Sequence, residues 1–217
     1  MLTIAGTATP TTLRLRLHFV GAHAASVMPN GDDMIKKYAD EKHQTQAEAF
    51  IFSLGSFTLE FERACEAMRY IIMFMLRSQG LNNQGMEQVI VGDKAAAELQ
   101  VLLGALYFEL PNQDQEDQKA VKNLLKAIKE LTERRNILLH NSWSFGDTAG
   151  EEELIAAAIR YRAKQTKGGE AEVHGYSSAY LDGLAAEAKR IQLLLQRLQY
   201  CVCQNGFKVS TEFAKPM

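Results

Sequence analysis

The residues with the most chemistry in this chain open the run Arg135-Asn136-Ile137-Leu138-Leu139-His140-Asn141-Ser142-Trp143. An arginine is a permanently charged fork that grips the oxygens of a carboxylate or phosphate two at a time. A histidine exchanges protons near neutral pH. Asn136 and His140 stand four residues apart, so on a helix they share one face, where the amide can fix the imidazole's tautomer and ring angle. Together, these groups are suited to moving a proton beside a phosphate whose charge is held by the arginine.

A helix beginning near Gln118 must position them. Along it Val121, Leu124, Ile128, Leu131 and Leu138 recur at alternating steps of three and four, and Arg135 fills the one vacant slot. That is a core-facing helical stripe with a charge in it. Such a charge is costly unless it is paired or faces a wet cleft. There is also a plainly structural role: cations near a helix C-terminus can bond its last carbonyls and complement its dipole.

Arg135, the polar Asn136 after it, and His140 after four intervening residues resemble the signature of the HEPN superfamily. Arg134 satisfies the looser form with five intervening residues, but Arg135 has the polar follower and the core register. The resemblance extends from about residue 40 to about residue 205. It implies a small helical-bundle domain that forms a symmetric dimer, with the motifs of both protomers facing one cleft. Many members are metal-independent ribonucleases, often toxins of toxin–antitoxin pairs or parts of phage defence. Others serve as non-catalytic dimerisation modules or bind a nucleotide or RNA.

Under the resemblance Arg135, Asn136 and His140 are catalytic: Arg135 clamps phosphate, His140 transfers protons and Asn136 orients it. Arg134, Asn141, Ser142 and Trp143 are RNA-binding candidates. Asn141 and Ser142 can equally cap the helix. Trp143, the single tryptophan, has two roles open to it: stacking on a base or packing the end of the bundle. A metal and a cofactor are not expected. The expected partners are a second copy of the chain, RNA as substrate and an antitoxin protein.

Composition sets the background. The chain has 217 residues, 47% hydrophobic and 23% charged, enough to bury a core without staples. Its formal charge of -2 gives the whole molecule no pull toward nucleic acid, so binding must come from a local patch. Lys122, Lys126 and Lys129, with Arg160, Arg162 and Lys164, are candidates for such a path, or simply solvated faces. Three cysteines, with Cys201 and Cys203 one residue apart, do not read as a disulfide framework. No apolar run approaches a membrane span. The cysteine pattern fits a reducing, cytoplasmic setting.

Residues 1–36 read as a flexible or irregular leader, with a short strand over Leu13 to Val20. Arg14 and Arg16 before an apolar patch faintly resemble a signal peptide, but His18 and Gly21 interrupt it. From about Asp40 to Ser78, Phe50, Leu54, Phe57, Phe61, Ala64, Met68, Ile71 and Met75 hold a seven-residue spacing. Ile51, Cys65, Ile72 and Leu76 widen the stripe, and Gly80 stops the helix. Asn82 to Gly92 is a connector, and Asp93 caps the next helix, whose face is Ala95, Leu99, Leu102, Leu103, Leu106 and Leu110. Pro111 ends it, and Asn112 to Gln118 is a loop.

After Trp143, Ile159 to Lys164 and Ala171 to His174 alternate about a Gly-Gly turn as a small β-hairpin. A final helix, capped at Ser177 or Ser178, carries Leu181, Leu184, Ala188, Ile191, Leu195, Leu198 and Val202. The expected fold is all-α: an antiparallel bundle of four long helices with the hairpin inserted before the last. Residues 37–208 would be the HEPN-like domain and 209–217 a tail.

Overall fold

The structure is a computed structural model of the chain. It describes residues 12–13, 41–111, 113–147, 154–164, 168–204 and 207–216. These are mainly helical: α1 (Glu41–Ser78), α2 (Gln84–Val91), α3 (Ala96–Glu109), α4 (Gln115–His140), α5 (Ser178–Cys203) and α6 (Val209–Ala214). Four strands, β1 (Thr12–Leu13), β2 (Ser142–Asp147), β3 (Leu154–Lys164) and β4 (Gly168–Tyr176), form one antiparallel sheet in the order β1-β4-β3-β2.

The chain divides into two compact units. One comprises Met1–Leu54 with Leu138–Asp182, the other Gly55–Ile137 with Gly183–Met217. In the first, the sheet follows α4 after a single residue, Asn141. The Trp143 ring stands 5.1 Å from Phe50, edge-on, and 5.6 Å from Tyr176. Tyr176 continues the row to Tyr180 at 5.4 Å. Ala47, Phe50, Ala156, Tyr176 and Leu181 are buried there.

Among its described residues the second unit has helices and no strand. Phe57, Phe61, Ala64, Met68, Ile71 and Met75 of α1 are buried, as their seven-residue spacing requires. So are Leu99 and Leu103 of α3, Val121, Leu124, Ile128 and Leu131 of α4, and Ile191, Leu195 and Leu198 of α5. Helices α3 and α4 approach closely at Gly104, where a Cβ would stand 3.0 Å from Leu125 Cδ1. Gly80 ends α1 with a φ of 94°, which favours glycine. Its N–H donates to Arg77 and that of Leu81 to Leu76, the paired bonds of a Schellman stop.

Several boundaries differ from the sequence expectation. Ile51 is 60% exposed and does not widen the core stripe of α1. Within the expected connector lies α2, opened by Asn83, whose side chain accepts from Met86 N–H at 3.1 Å. Ala95, not Asp93, is the residue before α3; its N–H donates to Glu98 at 2.9 Å. The expected loop yields its last four residues, from Gln115 on, to α4, because Asp114 accepts from the Asp117 N–H at 2.8 Å and so caps the helix earlier.

Residues assigned to the tail include α6, whose Val209 and Glu212 are buried. Ser210 N–H donates to Asp117, and the Arg197 guanidinium to the carbonyls of Glu212, Lys215 and Pro216. Paired backbone runs past both ends of the expected hairpin in β3 and β4, with β2 and β1 added beside them. Of the expected leader and its strand, only Thr12 and Leu13 lie within the described residues.

Candidate functional site

Helix α4 is continuous through the motif, and it carries Arg135 and Asn136 in the second unit and His140 in the first. On one α-helix, five residues separate side chains by about 7.5 Å along the axis and about 140° around it. Arg135 and His140 therefore do not share a helical face, whereas Asn136 and His140 do.

Arg135 is half-buried, its side chain retaining 26% of its exposure. Its guanidinium carbon lies 5.5 Å from the centre of the Phe61 ring, a cation–π contact with α1. Nη2 donates to Glu62 at 3.4 Å, and Nη1 to the Asn136 amide oxygen at 3.4 Å. Nε is buried and has no hydrogen-bond partner among the described residues. The core register of Arg135 is thus met by an aromatic floor and a loose carboxylate contact rather than by a saturated ion pair.

His140 is the last residue of α4 and is exposed. Asn136 is also exposed, and its amide oxygen is engaged by Arg135. Asn141, half-buried, follows the helix, and its Nδ2 is buried without a partner among the described residues. Ser142 opens β2 opposite Ile159.

Arg134 and Trp143 make structural contacts. Arg134 forms a 2.8 Å ion pair with Glu187 of α5. Trp143 Nε1 donates to the Leu138 carbonyl at 2.9 Å, satisfying one of the acceptors that a helix C-terminus leaves open. With its ring against Phe50 and Tyr176, Trp143 packs the end of α4. Of the proposed basic path, Lys122 lies over the Phe108 ring at 5.5 Å and Lys126 is 3.9 Å from Glu130. In the sheet, the backbone register sets Arg160 opposite Glu172 and Arg162 opposite Glu170.

Cys65, one turn from Phe61 and Glu62, is buried, and burial with the nearby Glu62 charge pushes its thiol up to about 12. It therefore stays protonated and serves as a core residue rather than a nucleophile. Tyr176 is likewise raised to about 12, by burial first and by Tyr180 second.

Sequence reasoning missed Phe61 and Glu62 as neighbours of Arg135. They precede it by more than seventy residues and carry no local signal; Phe61 looks like any other core position of α1. Among the described residues, no group of His, Cys, Asp and Glu stands together as a metal-ion site, and no helix is long and apolar enough to cross a membrane. No protein-family model matches the chain, and neither curated proteins nor solved structures show a match.

Proposed function

We propose that the chain is a HEPN-like, metal-independent endoribonuclease of the toxin–antitoxin or phage-defence kind. It acts in the cytoplasm as a homodimer, with an antitoxin protein as a further partner. In this reading α1, α3, α4 and α5 are the four long helices of an antiparallel bundle. The observation that carries the reading is Arg135: a half-buried guanidinium in a core register, its Nε without a partner among the described residues, followed on the same helix by an exposed histidine.

The reaction needs few parts. The ribose 2′-hydroxyl gives its proton to a neutral imidazole, and its oxygen attacks the adjacent phosphorus. The bond from phosphorus to the 5′-oxygen breaks, and that oxygen takes a proton from an imidazolium. The products are a 2′,3′-cyclic phosphate and a 5′-hydroxyl. Arg135 holds the non-bridging oxygens while their charge develops. One imidazole cannot accept and donate on opposite sides of the phosphorus at once, so His140 of the second protomer supplies the other transfer. Asn136 orients His140, and Arg134, Asn141, Ser142 and Trp143 border the RNA path. DNA, lacking the 2′-hydroxyl, is not cleaved.

One observation favours a second reading, a non-catalytic HEPN-like module that dimerises and binds a nucleotide or RNA. The Asn136 amide is engaged by Arg135, an arrangement that serves anion binding without the histidine. Product analysis separates the two. The ribonuclease leaves 2′,3′-cyclic phosphate ends in EDTA and spares an RNA with 2′-deoxyribose at the cut site. Fragments with 3′-hydroxyl ends, or cleavage abolished by EDTA, would rule this chemistry out. Intact RNA bound by a folded dimer would leave the module.

A further inference from the structure

We infer that Glu62 is an internal competitor for the anion-binding edge of Arg135, and that Phe61 is the floor of that seat. A phosphate-bearing ligand is then admitted by displacing one of the chain's own carboxylates. This rests on the reading of Arg135 as the group that holds phosphate.

A guanidinium binds a two-oxygen anion best along one edge, through two parallel N–H bonds of about 2.7–2.9 Å. On Arg135 the edge formed by Nε and Nη2 is half used. Nη2 reaches Glu62 only at 3.4 Å, and Nε is buried without a partner among the described residues. The same edge of Arg77, by contrast, grips Glu87 through Nε at 2.7 Å and Nη2 at 2.6 Å.

The surroundings fix the arginine and leave the carboxylate loose. The guanidinium rests on the Phe61 ring, which is itself buried and 6.3 Å from Phe57. The Glu62 side chain is 51% exposed against 26% for Arg135, so the carboxylate has more water to swing into than the arginine has. Glu62 follows the floor residue directly, so α1 supplies the seat and its placeholder together. Without a ligand, the carboxylate offsets a charge lodged in a core stripe. With one, phosphate takes both nitrogens and Glu62 turns outward. Breaking so exposed an ion pair weakens ligand binding by about two- to fivefold.

The test follows the Nε–H proton of Arg135 by nitrogen–proton correlation NMR, its signal identified by its loss in Arg135→Lys. Inorganic phosphate is titrated into the full chain. The signal is expected to move and saturate, and in Glu62→Gln to saturate at about two- to fivefold lower phosphate. Glu62→Gln keeps the side chain's size at an exposed position, and an otherwise unchanged spectrum verifies its fold. An Arg135 signal that ignores phosphate, or a Glu62→Gln variant that binds phosphate no more tightly, would overturn the inference. RNA cleavage is scored separately: a chain that binds phosphate at Arg135 but leaves RNA intact keeps this inference and loses the ribonuclease.

Discussion

Two arginines of the helical unit show two uses of the same side chain. At the end of α1, Arg77 puts Nε and Nη2 on Glu87 in three contacts of 2.6–2.9 Å. Glu87 is fully buried, and this fork fastens α2 to α1. The pairing holds the Glu87 carboxyl below its usual range, chiefly through the hydrogen bonds from Arg77. On α4, Arg135 has contacts of 3.4 Å, an aromatic floor and an Nε without a partner among the described residues. The first arginine is spent on structure, and the second keeps donors in hand. Charge in a core is therefore not by itself a functional sign; a guanidinium left unsaturated in a core register is a much narrower one.

Variants at the two positions should separate along that line. The largest effect expected is on Arg135→Lys, which loses the planar fork: RNA cleavage falls by about 10²–10³-fold, while thermal unfolding by calorimetry changes little. Glu87→Gln acts in the other direction. It leaves Arg77 facing a buried neutral amide, and Tm drops by on the order of 5 °C with cleavage at low temperature retained. Hydrogen exchange in that variant should show α2 opening first.

Acid provides a finer version of the same contrast. Glu87 is depressed by Arg77; Asp114 is depressed first by the Asp117 N–H and then by Lys208. A carboxyl with a lowered folded pKa stabilises above its unfolded value and loses that contribution as pH falls through the folded one. Unfolding midpoints measured from pH 7 downward should decline below the ordinary carboxylate range, and Glu87→Gln should flatten the decline. The smallest effect belongs to Arg134, whose partner is partly exposed at 26%. Removing that partner with Glu187→Gln should cost about 0.2–1 kcal/mol in denaturant titration.

Much of the helical layout was legible because burial there follows repeating apolar spacing. Phe57 to Met75 and Val121 to Leu138 are such stripes, and Gly80 announced its stop. Helices α2 and α6 were not legible. At 8 and 6 residues they are too short to show a period, and each buries a glutamate that a hydrophobic pattern reads as surface. Strand β2 carries only a short alternation in Trp143 and Phe145 and begins one residue past a helix, too little for a period to show. At the candidate site, spacing pointed to Arg135 as unusual. Its floor and its carboxylate come from α1, and no local rule reports a contact across that separation. The packing role of Trp143 was one of two open readings; the Leu138 carbonyl, Phe50 and Tyr176 now account for both its polar and its apolar parts.

The most direct test is one side-by-side assay: loss of a labelled RNA in EDTA with wild type, His140→Ala, Arg135→Lys and Arg77→Lys, each checked for folding at the assay temperature. Wild type and Arg77→Lys should cleave, and the other two should lose cleavage by about 10²-fold or more. Equal cleavage by His140→Ala and wild type, or no cleavage by any folded protein across several RNAs, would contradict the ribonuclease reading.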